Sequence, residues 1–187
     1  MILFINCCVR KDSRTKKLAD AFLELLDGEV VQLDLADFSF PVVDEGFITR
    51  RDMLKADGSY EDPIFDPGRQ FASADTIVIA APYYDLSFPA SLKQYVEQIN
   101  VSGLTFGYTP QGTPVGLCKA KALYYITTAG GTFCPEEYGY GYIKALANNF
   151  YGIQNTKLIS AEGLDIDGAD PDKIIREAIQ GLSSEIL

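Results

Sequence analysis

Five short apolar runs alternate along this chain with longer segments whose apolar residues recur every three or four positions. A short run of that kind suits a strand buried on both faces, and the periodic segment after it suits a helix lying on the sheet. The alternation therefore dictates repeated strand–helix–strand units around a parallel sheet, an α/β architecture. The candidate strands are Ile2 to Asn6, Glu29 to Leu33, Thr76 to Ala81, Ala122 to Thr127 and Leu158 to Glu162, rich in Ile, Val, Leu and Tyr. Helical spacing relates Leu18, Phe22 and Leu25/Leu26, then Leu92, Tyr95, Val96 and Ile99, then Ile143, Leu146 and Phe150, and lastly Ile174, Ile175, Ala178 and Leu182.

Right-handed helical crossovers between five strands suit the flavodoxin-like order 2-1-3-4-5, a three-layer sandwich with helices on both faces of the sheet. In such a sheet ligands sit outside the carboxyl ends of strands 1, 3 and 4, so three loops carry the search for function. The 187 residues suit one domain of this kind, spanning residues 1–187. The stretch from Ala36 to Arg69, with Gly46, Gly58, Gly68 and the Asp-Pro pairs at 62 and 66, is longer than a simple connection; it is expected to combine a surface excursion with the second helix.

After strand 1 comes Cys7-Cys8-Val9-Arg10-Lys11-Asp12-Ser13-Arg14-Thr15, in which Ser13 suits the cap of a helix beginning near Arg14. Free N–H groups at a helix start, the hydroxyls of Ser13 and Thr15 and the nearby cations are the donors a phosphate monoester needs; a capped helix with a solvated basic first turn would read the same way. After strand 3 comes Pro82-Tyr83-Tyr84-Asp85-Leu86-Ser87-Phe88-Pro89, whose paired tyrosines offer faces to a flat ring and whose extended backbone offers polar groups to ring-edge heteroatoms. Either tyrosine equally suits a half-buried core position with a wet hydroxyl. After strand 4 comes Thr127-Thr128-Ala129-Gly130-Gly131-Thr132-Phe133, where consecutive glycines let backbone approach a ligand closely. One planar, phosphorylated cofactor would satisfy all three loops.

Composition narrows the chemistry. Sixteen Lys and Arg against 26 Asp and Glu leave a net charge of −10 without a basic stripe, which argues against a nucleic-acid or anionic-membrane partner. Histidine is absent, which removes Ser-His and Cys-His catalysis and histidine metal sites together. Four cysteines, two adjacent at Cys7 and Cys8, form neither a disulfide framework nor a zinc spacing, so no metal is expected. No apolar run approaches the ~18 residues that span a bilayer, and the N-terminal cations follow the apolar run rather than precede it, so the expectation is a cytoplasmic protein.

At these loops the sequence resembles the FMN-dependent NADH-azoreductase and NAD(P)H quinone dehydrogenase family of flavodoxin-like enzymes. The likeness is carried by Ala80-Ala81-Pro82-Tyr83-Tyr84 running into Pro89-Ala90-Ser91-Leu92-Lys93-Gln94-Tyr95, by Leu104-Thr105-Phe106-Gly107-Tyr108-Thr109, by Thr127 to Gly131, and by Phe150-Tyr151-Gly152-Ile153 leading to Ala161-Glu162-Gly163. The resemblance implies that Ser13, Arg14 and Thr15 hold the FMN phosphate, that Pro82, Tyr83, Tyr84, Asp85 and Leu86 lie along the isoalloxazine ring, and that Thr128, Ala129, Gly130 and Gly131 contact the ring and ribityl chain. It implies a homodimer with two interfacial sites and a substrate pocket lined by Phe106, Tyr108 and Phe150; Phe106 and Phe150 also suit ordinary core positions. It implies ping-pong transfer of two electrons from NAD(P)H, the co-substrate, to a quinone or azo acceptor, a small aromatic molecule. Tyr83 and Tyr108, with Tyr84 as a third hydroxyl, are the candidate proton donors. The chain departs from the family in its Cys7-Cys8 pair and short basic loop, where serine-rich segments are common, and in Ala129, often polar or charged in relatives. Without a cation at 129, negative charge on a reduced flavin would rely on backbone N–H groups near Gly130 and Gly131.

Two rivals share the fold. Cys8 and Arg14 are spaced as C-x5-R followed by Thr15, which resembles the phosphate loop of low-molecular-weight protein tyrosine phosphatases, with Asp170 as a candidate general acid. The later blocks do not fit a phosphatase. A flavodoxin-type electron carrier would suit the negative charge, but it needs only an exposed flavin edge and not the aromatic residues Phe106, Tyr108, Phe150 and Tyr151.

Overall fold

The computed structural model describes residues 1–187. Its central sheet is formed by β1 (Ile2–Asn6), β2 (Val30–Asp34), β3 (Thr76–Ala80), β6 (Ala122–Thr128) and β7 (Asn155–Ala161). All neighbours are parallel, in the spatial order β2-β1-β3-β6-β7. Counting only these five strands, that is the expected 2-1-3-4-5. The two strands not anticipated, β4 (Phe106–Tyr108) and β5 (Pro114–Gly116), form a separate antiparallel hairpin.

Side chains alternate across the sheet and divide the core in two. Ile2 and Phe4 of β1, Val78 of β3 and Tyr124 and Ile126 of β6 face Leu18 and Phe22 of α1 (Arg14–Leu23) and Ile175 of α6 (Pro171–Gly181). Leu3, Ile5, Ile77, Ile79, Leu123 and Tyr125 face Phe71 of α3 (Asp66–Ser73), Leu92 and Tyr95 of α4 (Ala90–Ile99) and Ile143 of α5 (Tyr140–Leu146). Each large side chain withdrawn from water in this way contributes about 1.5–3 kcal/mol.

Several local signals act where the sequence places them. Ser13 caps α1 by accepting from the Lys16 N–H, and Asp170 caps α6 by accepting from the Lys173 N–H. Pro89 stands just before α4. The Ala36–Arg69 stretch differs from expectation in carrying two helices. The crossover helix α3 starts only at Asp66, while α2 (Glu45–Ala56) buries none of its residues and therefore left no apolar stripe to read. No helix is long and apolar enough to cross a membrane.

Candidate functional site

Because the strands are parallel, the loops after β1, β3 and β6 leave one edge of the sheet, and they line one crevice there together with the loop after β7. The crevice has a volume of about 310 Å³. Arg10, Asp12, Ser13, Arg14 and Thr15 line it from the first loop, Pro82, Tyr83 and Tyr84 from the second, Thr128, Ala129 and Gly130 from the third, and Leu164 and Asp165 from the fourth. Asp85, Leu86 and Gly131 continue the same loops just outside that lining.

Backbone donors converge on this space. The N–H groups of Arg14 and Thr15 open α1 and have no acceptor within the chain, as expected for a helix start, and the helix dipole adds partial positive charge at the same point. In the second loop Tyr84 and Ser87 exchange backbone hydrogen bonds of 2.9 and 2.7 Å, closing a tight turn. Its two central residues, Asp85 and Leu86, take φ values of 51° and 66°, so non-glycine residues sit in the left-handed region and their own N–H groups stay unpaired. In the third loop the carbonyls of Ala129, Gly130 and Gly131 accept from Leu164, Asp165 and Gly163, which leaves the N–H groups of Gly130 and Gly131 without internal acceptors.

The side chains are more committed than their sequence positions suggest. Thr15 Oγ1 lies 2.6 Å from Thr128 Oγ1 in a buried hydroxyl pair, so the two residues join α1 to β6. The Arg14 guanidinium makes a 2.7 Å ion pair with Asp165. Tyr83 is half-buried and its hydroxyl donates to the Pro135 carbonyl at 3.2 Å; burial, reinforced by Cys134, Glu137 and Glu162, pushes its phenol up and keeps it protonated. Tyr84 stays exposed, so of the paired tyrosines Tyr83 is the one partly in the core.

Phe106, Tyr108 and Phe150 lie apart from the crevice of their own chain. Helix α4 carries the chain from the carboxyl edge of the sheet back to the amino edge, where the Lys121 N–H donates to Asp75 O just ahead of β3. The β4–β5 hairpin, sitting between that helix and β6, is therefore at the opposite end of the molecule. There Phe106 packs edge-on against Phe150 at 4.8 Å and Tyr108 at 5.6 Å, with Phe106 buried and Tyr108 exposed.

The phosphatase arrangement is not assembled. Cys8 is buried, its thiol lies 3.8 Å from the Ala80 carbonyl, and burial pushes its pKa up in spite of a hydrogen bond with Ser13. A nucleophile needs the reverse, an accessible thiolate. Asp170 is engaged in capping α6. A larger cavity of about 1070 Å³ lies beside α3 and the surface excursion, and none of the loops after β1, β3 and β6 lines it.

Asp165 and the loop that carries it were missed by the sequence reading. The signal was available: the rule that sends ligands to carboxyl strand ends applies to the last strand as well, and Gly163, at φ 75°, marks a sharp turn there.

The flavodoxin-like-fold family model matches residues 1–186. An FMN-dependent NADH:quinone oxidoreductase of Clostridium beijerinckii is 37% identical over 192 residues, covering 95% of this chain and 93% of the relative. One from Clostridium perfringens is 33% identical, covering 96% and 94%. Among solved structures, an azoreductase from Bacillus anthracis superposes with a TM-score of 0.82 at 26% identity, covering 98% of this chain and 96% of that one. An FMN-dependent NADH-azoreductase from the same species, solved in complex with FMN, superposes with a TM-score of 0.78 at 25% identity and covers 98% and 95%. Matched in this way over nearly its whole length, the chain belongs to the flavodoxin-like family that contains the FMN-dependent NADH:quinone oxidoreductases.

Proposed function

We propose that this protein is an FMN-dependent oxidoreductase that passes two electrons from NADH to a quinone or azo acceptor, acting as a single flavodoxin-like domain. The observation that carries the reading is one crevice lined by three loops, with unpaired N–H groups on its lining at Arg14, Thr15 and Gly130 and next to it in the same loops at Asp85, Leu86 and Gly131. These residues fit FMN. A phosphate monoester takes the helix N-terminus with Arg14 and Ser13 beside it, and a flat polar-edged ring takes the Tyr84 turn and the side-chain-free Gly130-Gly131 backbone.

Bound FMN supplies the two-electron redox chemistry, which side chains alone do not. The net reaction is balanced as NADH, one proton and a quinone giving NAD⁺ and a hydroquinone. The protein's part is to bind and orient. The N–H groups of Gly130 and Gly131, which have no acceptor within the chain, would supply partial positive charge to a reduced flavin, in a chain with alanine at 129 and no histidine. Tyr83 shapes the wall and anchors Pro135, leaving the exposed Tyr84 hydroxyl as the freer proton source in the crevice.

The proposal includes a homodimer. The crevice loops expose Phe133, Tyr138, Tyr84 and Leu86, and the hairpin at the other end exposes Tyr108, Val115 and Leu117. A partner's hairpin would bring Phe106 and Tyr108, with Phe150 packed against Phe106, to a crevice that their own chain keeps them from. Steady-state NADH oxidation with a benzoquinone acceptor tests the reading: parallel double-reciprocal lines are expected from FMN-loaded protein, and no turnover above free FMN would overturn it.

A further inference from the structure

We propose that Asp165 is a positioning residue for Arg14: its carboxylate fixes the guanidinium at the mouth of the anion subsite, so that the crevice selects FMN over riboflavin, its dephosphorylated form. This rests on the flavin reading above and adds to it the source of discrimination between the two flavins.

Arg14 and Asp165 are 151 positions apart and meet at 2.7 Å across the crevice. The backbone under Asp165 is held in place. Its N–H donates to Gly130 O at 2.9 Å, and the flanking Gly163 and Leu164 N–H groups donate to Gly131 O and Ala129 O at 2.9 and 3.2 Å. Leu164 is buried in the core beside it. Gly130 preserves the room that the carboxylate occupies, because a Cβ at that position would stand 2.5 Å from Asp165 Oδ2.

An ion pair as exposed as this one, with side chains 40% and 68% accessible, does little for folding. Its consequence lies in the crevice. A guanidinium has five donors in a rigid fork; Asp165 engages one nitrogen, and the remaining donors are oriented before an anion arrives. A side chain ordered in advance loses less freedom on binding, and that gain falls on the phosphate alone, since riboflavin offers Arg14 no anion.

The test is titration of FMN and of riboflavin, followed by quenching of flavin fluorescence, into the wild type, Asp165→Asn, Arg14→Gln and the double variant, with thermal midpoints measured alongside. Asp165→Asn is expected to weaken FMN by about three- to tenfold, to leave riboflavin within about twofold, and to have no further effect once Arg14 is Gln. The thermal midpoint of Asp165→Asn should match the wild type. Tighter FMN binding in Asp165→Asn would overturn the inference by showing that the carboxylate competes with phosphate. Equal losses for both flavins, a lowered midpoint, or an FMN affinity unchanged by Asp165→Asn would overturn it too, and with a wild type that binds FMN the flavin reading stays intact. A wild type that binds neither flavin would overturn both.

Discussion

Thr15 at the start of α1 and Thr128 at the end of β6 share a 2.6 Å hydroxyl–hydroxyl hydrogen bond in the buried floor of the crevice. The pair ties the helix start that offers N–H groups to the strand end that leads into Gly130-Gly131. Replacing one partner by an isosteric apolar residue strands the other hydroxyl, which costs about 1–3 kcal/mol, whereas replacing both leaves nothing unsatisfied. Thr15→Val and Thr128→Val should each lower the urea midpoint, and the double variant should recover most of the loss. Additive losses would show that the two hydroxyls are not each other's partners.

Gly116 on β5 is required by contact. A Cβ there would stand 2.2 Å from the Gly152 nitrogen, and backbone cannot swing aside as a side-chain tip can. Gly116→Ala should destabilise the protein by about 3 kcal/mol, while Gly112→Ser, in open space but at φ 81°, should cost about 1–2 kcal/mol. Thermal or urea denaturation of both variants checks the order; equal effects would contradict the packing of the hairpin against Tyr151 and Gly152.

Much of this was legible in the sequence because the five-stranded sheet is made of strongly apolar runs. β1, β3 and β6 are buried on both faces, and their ends fell within a residue of expectation. β7 is an edge strand and begins at Asn155 rather than Leu158; its first residues, Asn155-Thr156-Lys157, pair with β6 on one side only and carry no apolar signal. The hairpin was illegible because three-residue strands containing Gly107, Pro114 and Gly116 show no alternation to detect. The crevice loops were legible from topology. What the loops' side chains do was not, since the Thr15–Thr128 and Arg14–Asp165 contacts join residues more than a hundred positions apart.

Tyr83 is expected to be structural rather than acidic. Its hydroxyl is engaged with the Pro135 carbonyl, so Tyr83→Phe should lower stability by about 1 kcal/mol and change kcat with a quinone by less than about threefold. A hundredfold fall in kcat at unchanged stability would restore Tyr83 as the proton donor.

Buried thiols set an alkaline limit. Burial holds Cys7 well above its ordinary value of 9.0 and pushes Cys118 up to about 12. Unfolding exposes both, so above pH 9 the unfolded chain binds fewer protons than the folded one and stability falls as pH rises; below about pH 8 both states keep these protons and this contribution is flat. Urea midpoints at pH 7, 9 and 10 should fall slightly across the lower interval and more steeply across the upper one, and less steeply in Cys7→Ala. The same burial predicts slow alkylation of Cys8 by iodoacetamide at pH 7.5, and Cys8→Ala should retain NADH:quinone turnover within about twofold.

On the proposed function, the crevice binds FMN and exposes it to reduction by NADH. The direct measurement is the visible absorption spectrum of the purified protein after incubation with FMN and desalting, followed by NADH without oxygen. A yellow protein whose absorbance near 450 nm bleaches on NADH addition is the predicted result. A protein that desalts colourless would overturn FMN binding, and one that keeps its colour unchanged in NADH would overturn reduction by NADH.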